Sequence, residues 1–166
     1  MDTKITIGIS ACLLGQNTRY DGGNRHEPLL MEALTFFTLV PLCPEAECGL
    51  GIPREPMQLE GDPENPRLMT ITTRCDLSEQ MRTWAALRMA ALAREGIGGL
   101  ILKARSPSCG KQVVVHEKGG YSPGLFARLV MERFPGLPIA DEEELRDPNR
   151  LADFLARLPK GTSPSR

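Results

Sequence analysis

Short apolar, β-branched runs alternate along this chain with stretches whose apolar residues recur at helical spacing, and that alternation restricts the fold most. Residues 5–10, 38–42, 68–73, 100–104, 113–116 and 137–140 read as strands. Between them, Glu27-Pro28 opens an expected helix to Phe37, and Ser122-Pro123 opens one to about Phe134. Asp76 with Glu79 three residues later resembles a capping box ahead of an Ala/Leu/Met/Arg-rich helix to Arg94, ended by glycines at 96, 98 and 99. Asp147-Pro148 caps a last helix to Leu158. Strands alternating with helices predict an α/β domain, a mostly parallel sheet covered on both faces. The proline- and glycine-rich stretch 44–66 is expected to be irregular, and loops of that length are usually functional or disordered. One domain over 1–158 and a flexible tail over 159–166 complete the expected organisation, with no internal repeat.

The 166 residues carry 20 Lys plus Arg against 21 Asp plus Glu, a net charge of -1, which argues against a dedicated nucleic-acid binder. No apolar run approaches the roughly 18 residues of a membrane helix. The opening Met1-Asp2-Thr3-Lys4-Ile5 lacks a signal-peptide layout, so the expected location is the cytoplasm and no membrane partner is expected.

Five cysteines, an odd number without a secretion signal, do not make a disulfide framework. Two histidines exclude a His-rich metal site. Three of the cysteines share a context: Cys12, Cys43 and Cys109 each follow an apolar strand in a Gly- or Pro-containing loop. In an open parallel sheet all strand carboxyl ends lie on one edge, where ligands bind. Three thiolates gathered there suit a soft metal, zinc or an iron–sulfur cluster, and three rather than four leave one coordination position open. Buried cysteines are also common as small hydrophobes, and spacing alone divides the two readings evenly. Cys48, five residues past Cys43, could be a joint ligand; Cys75 reads as structural.

Glu45 lies close enough to Cys43 to serve as an acid or base, or is a solvated loop carboxylate. Ser106 and Ser108 flank Pro107, and either orient a substrate or cap a helix. Arg19, Tyr20 and Asp21 could bind a small polar ligand or form a surface turn, and Arg54, between Pro53 and Glu55-Pro56, suggests a positioned guanidinium. Neither a Walker loop nor a dinucleotide fingerprint is present.

Three segments carry a resemblance. Ser10-Ala-Cys-Leu-Leu-Gly15 with Arg19-Tyr-Asp-Gly22, then Cys43-Pro-Glu45 with Gly49-Leu-Gly-Ile-Pro-Arg54, then Lys103-Ala-Arg-Ser-Pro-Ser-Cys-Gly110 resemble, in order, the bacterial thiouracil desulfidase family. The resemblance runs from about residue 5 to 140 and implies a Rossmann-like three-layer domain. It implies a [4Fe-4S] cluster on Cys12, Cys43 and Cys109, with Cys43 favoured over Cys48 because it begins the Cys-Pro-Glu motif. It implies Glu45 and Ser106 as the catalytic pair, with Arg19, Tyr20, Asp21 and Ser108 around the substrate. The implied activity is non-redox removal of sulfur from a thiolated pyrimidine such as 2-thiouracil, giving the oxo base and hydrosulfide. The stretch through Pro53-Arg54-Glu55-Pro56 looks most like family members fused to a C-terminal domain, which makes the chain a first module of a longer protein or a free-standing version of it. Two other readings compete: a sulfur-inserting enzyme acting on tRNA or a base, and a non-enzymatic metal- or redox-sensing thiol protein.

Overall fold

The computed structural model describes residues 4–160; the expected start of the chain at 1–3 and the end of the expected tail, 161–166, lie outside it. Four strands, β1 (Thr6–Ser10), β2 (Thr38–Leu42), β5 (Gly99–Leu102) and β8 (Ile139–Asp141), form an all-parallel sheet in the order β2-β1-β5-β8. The intervening strands β3 (Met57–Asp62), β4 (Asn65–Thr70), β6 (Val113–Glu117) and β7 (Tyr121–Ser122) form a second, mixed sheet in the order β4-β3-β6-β7. The helices are α1 (Pro28–Ala33), α2 (Ser78–Glu95), α3 (Leu125–Arg133) and α4 (Pro148–Arg157).

Strand β1 shows why the first sheet is buried on both sides. Ile7 and Ile9 point to one face and are fully buried with Leu30 and Leu34 near α1 and Phe154 and Leu158 near α4. Gly8 points to the other face, where a Cβ would stand 2.4 Å from Leu100 Cδ2. That face packs Leu42, Leu100 and Leu102 with Met81, Ala85 and Leu92 of α2 and Phe126, Ala127 and Val130 of α3. Apolar residues on both faces of every strand are what a sheet buried on two sides requires. The same cluster takes in Met57, Leu59, Leu68, Val113 and Val115 of the second sheet. The α/β, Rossmann-like reading is therefore correct for the first sheet.

The second sheet corrects the expectation of an irregular 44–66 segment. That stretch holds a single distorted helical turn at Ala46–Leu50, all of β3 and the start of β4. Pro66 sits in β4 and Gly61 in β3, and those breakers disguised a strand pair whose turn is Pro63-Glu64. The strand expected at 113–116 forms as Val113–Glu117, but it pairs with β3 rather than extending the parallel sheet. Helix α1 ends at Ala33 rather than Phe37, and β4 ends at Thr70 rather than Thr73. The capping box does not form. Asp76 Oδ1 accepts from Ser78 N at 2.9 Å, whereas Glu79 pairs with Arg82. Asp147 does cap α4, accepting from Asn149 N at 2.8 Å. No helix among the described residues is long and apolar enough to cross a membrane.

Candidate active site

Parallel strands put the ends of β1, β2 and β5 on one edge, with Ser10 paired to Leu42 and Ile9 to Ile101. The loops leaving those ends carry Cys12, Cys43 and Cys109, and all three line one cavity of about 380 Å³. Each loop is fixed by its own hydrogen bonds. Cys12 lies in a short helical turn over Ala11–Leu14, closed by left-handed Gly15, and its carbonyl accepts from Gly15 N and Arg25 N. Glu47 brackets Cys43: Cys43 N donates to its carboxylate at 2.8 Å and Glu47 N donates back to Cys43 O. The Cys109 loop rests on the start of α3, where Leu125 N and Ala127 N donate to Pro107 O and Ser108 O. Gly124 allows this approach, because a Cβ there would lie 2.6 Å from the Ser108 backbone.

Cys109 and Cys12 are buried and Cys43 is half-buried. Burial pushes the Cys12 thiol up to about 11, against the opposing pull of Lys103 and Arg19, and pushes Cys109 well above the usual thiol range. Proximity to Cys43 adds to both shifts. Cys48 is not on the cavity wall. It packs against the main core, its thiol donates to Glu45 O at 3.5 Å, and α2 holds its carbonyl through Gln80.

The Glu45 carboxylate lines the cavity with its side chain 13% exposed. Its Oε1 accepts from Arg54 Nε at 3.0 Å and its Oε2 from Ser108 Oγ at 2.9 Å. Ser106 also lines the cavity, and its Oγ accepts from Ser108 N and Cys109 N, which leaves its own proton free to donate. Arg19 and Tyr20 reach the cavity. Two expected substrate contacts do not. Ser108 is fully buried and spends its hydroxyl on Glu45, so it positions that carboxylate. Asp21 is 44% exposed and closes a surface turn by accepting from Gly23 N.

The cavity wall also contains residues that the sequence reading did not assign. Lys103, Arg25 and Arg105 join Arg19 and Arg54 as lining cations, against the single lining carboxylate of Glu45. Lys103 is held from behind by buried Glu142, at 2.6 Å, and Arg105 by Glu143. Lys103 and Arg105 stand in the quoted motif just after β5, so their place at a strand end was the signal available. Glu142, a buried acid beyond β8, had none.

A family model described as 2-thiouracil desulfurase matches residues 7–142. The chain belongs to that family. A solved structure, a [4Fe-4S]-dependent thiouracil desulfidase named TudS, superposes with a TM-score of 0.71 at 27% identity, covering 92% of this chain and 99% of its own. An uncharacterized protein of Bacillus subtilis (strain 168), YbbK, is 28% identical over 152 residues, 85% of this chain and 98% of its own length. The match to the 2-thiouracil desulfurase model takes in all three cysteine loops and both sheets.

Proposed function

We propose that this chain removes sulfur from thiolated pyrimidines of the 2-thiouracil kind, as a carbon–sulfur bond-cleaving enzyme that carries a [4Fe-4S] cluster. The observation that supports this reading most is the convergence of three cysteines, from three separate strand ends, on one cavity that also holds the Glu45 carboxylate.

The residues present fit such a cluster. Among the described residues no three His, Cys, Asp or Glu side chains crowd around a single metal-ion position. Cys12, Cys43 and Cys109 instead line one cavity, and thiolates are the donors that iron–sulfur clusters take. A cubane on three thiolates carries about one net negative charge. The cationic wall suits that charge, and Arg19 Nε is buried there without a hydrogen bond, its ion-pair partner Asp21 Oδ1 standing 3.7 Å away. Cys12, Cys43 and Cys109 would hold the cluster.

When bound, the cluster supplies one iron without a protein ligand, a soft Lewis acid for a thiocarbonyl sulfur. Glu45, its two oxygens each accepting one hydrogen bond, keeps lone pairs with which to take a proton from a water attacking the thiocarbonyl carbon. Ser106 donates its free hydroxyl proton to a polar atom of the ring and so orients it. Glu45 then returns that proton to the departing sulfur and takes the remaining hydroxyl proton as the oxo group forms, releasing it to solvent. One C–S bond breaks, one C–O bond forms, water supplies the oxygen, and hydrosulfide leaves with no change of oxidation state. A sensing role for the thiols would leave the clamped Glu45 carboxylate without a task.

The test is anaerobic incubation of the cluster-loaded chain with 2-thiouracil, measuring uracil and sulfide. Equal yields of the two are expected. Absence of sulfide from every thiolated base and nucleoside tried would contradict the reading.

A further inference from the structure

Arg54 makes contacts beyond those of an ordinary loop arginine. Its side chain is only 7% exposed, and each guanidinium nitrogen donates to a different acceptor. Nε reaches Glu45 Oε1 at 3.0 Å, Nη1 reaches Gly51 O at 2.8 Å and Nη2 reaches Thr18 O at 2.8 Å. Its backbone N donates to Tyr20 O at 2.8 Å. Thr18 and Tyr20 belong to the loop that follows Cys12, whereas Glu45 and Gly51 belong to the loop that follows Cys43. The Cys43 thiol donates to the same Thr18 carbonyl, at 3.6 Å. One side chain therefore joins the two cysteine loops and fixes one oxygen of Glu45, while Ser108 fixes the other.

We infer that Arg54 is a positioning residue for desulfuration, holding the Glu45 carboxylate in one orientation toward the cavity through its Nε while its two Nη groups lock the loops on either side. The inference rests on the reading of Glu45 as the proton carrier. A planar fork offers donors on three nitrogens at fixed angles; a lysine ammonium has three donors as well, but all on one freely rotating atom at the end of a flexible stem. Lysine at this position keeps the charge and loses the geometry, which separates positioning from simple charge compensation. Small misplacement of a reacting group costs up to about 100-fold in rate.

A four-chain cycle tests this: wild type, Arg54→Lys, Glu45→Gln and the double variant. Each is reconstituted anaerobically, assayed for iron and acid-labile sulfide, and measured with 2-thiouracil. Arg54→Lys is expected to load iron as wild type does, to lower kcat by roughly 10- to 100-fold, and to leave KM within about 2-fold. In the Glu45→Gln background the same change is expected to lower kcat by less than about 2-fold, because the group it positions is gone. An equal loss in both backgrounds, a loss confined to KM, an unchanged kcat, or a failure of Arg54→Lys to load iron would each overturn the inference. If loaded Glu45→Gln retains full kcat, the Glu45 reading itself fails, and that single chain identifies the failure.

Discussion

The two sheets differ in where their strands come from and in what their polar groups do. In the first sheet every pairing joins distant residues, Thr6–Ser10 with Thr38–Leu42 and Gly99–Leu102 with Ile139–Asp141. Its strand ends converge on one edge, where cysteines and cations face a shared cavity and carboxylates such as Glu142 and Glu143 stand behind. In the second sheet β3 and β4 pair across a short turn, and the charges neutralise one another directly, Glu60 with Arg74 and Arg67 with Glu117. Charges paired away from any cavity serve the fold, whereas thiols and cations that line a cavity, each cation backed by a carboxylate or carbonyl, are placed to meet a ligand. The comparison assigns chemistry to the first sheet and support to the second.

The largest expected effect breaks the chemical half of that comparison. Replacing Cys12 or Cys109 with Ser should remove cluster loading and bring desulfuration to background, measured as iron per chain and sulfide released. Glu45→Gln should leave loading intact and lower kcat by about 100- to 10,000-fold, the usual contribution of a general acid or base. A substitution in the second sheet should do the reverse. Leu59 is fully buried there, and Leu59→Ala should cost about 2–5 kcal/mol in urea unfolding while leaving kcat per loaded chain unchanged.

The smallest effect concerns acid. Arg74, bonded to both Glu60 oxygens, holds the Glu60 carboxyl down at about 2 from an ordinary 4.5. A depressed carboxyl contributes stability that is fully present above its unfolded value and is lost as pH falls through its folded one. The difference in melting temperature between wild type and Glu60→Gln should therefore be constant above about pH 5 and shrink between about 4.5 and 2. A difference that grows as the pH is lowered would contradict this pairing.

The legible parts of the molecule were those in which one physical signal acts alone. Ile5–Ser10 read as a strand because its β-branched residues alternate and Leu100–Ala104 because it is a short apolar run, and their ends located Cys12 and Cys109. Strand β3 did not show itself, since Pro56, Gly61 and Pro63 crowd a segment whose Met57, Gln58, Leu59 and Glu60 alternate for only four residues. Glu60 belongs there because of an arginine fourteen residues away, a pairing that no local pattern announces. At the site, Glu45 and Ser106 stood beside recognisable cysteines. Ser108 was placed near the substrate for the same reason, although its hydroxyl turns inward to Glu45. Glu142 was invisible because its role depends on Lys103, thirty-nine residues earlier in the chain.

The central claim, three cysteines holding an open cluster, is tested most directly by iron and acid-labile sulfide per chain after anaerobic reconstitution of wild type, Cys43→Ser and Cys48→Ser. About four of each are predicted for wild type and for Cys48→Ser, with loss in Cys43→Ser, because Cys43 lines the cavity and Cys48 packs against the core outside it. Retention of iron in Cys43→Ser with loss in Cys48→Ser, or no iron in any of the three, would contradict it.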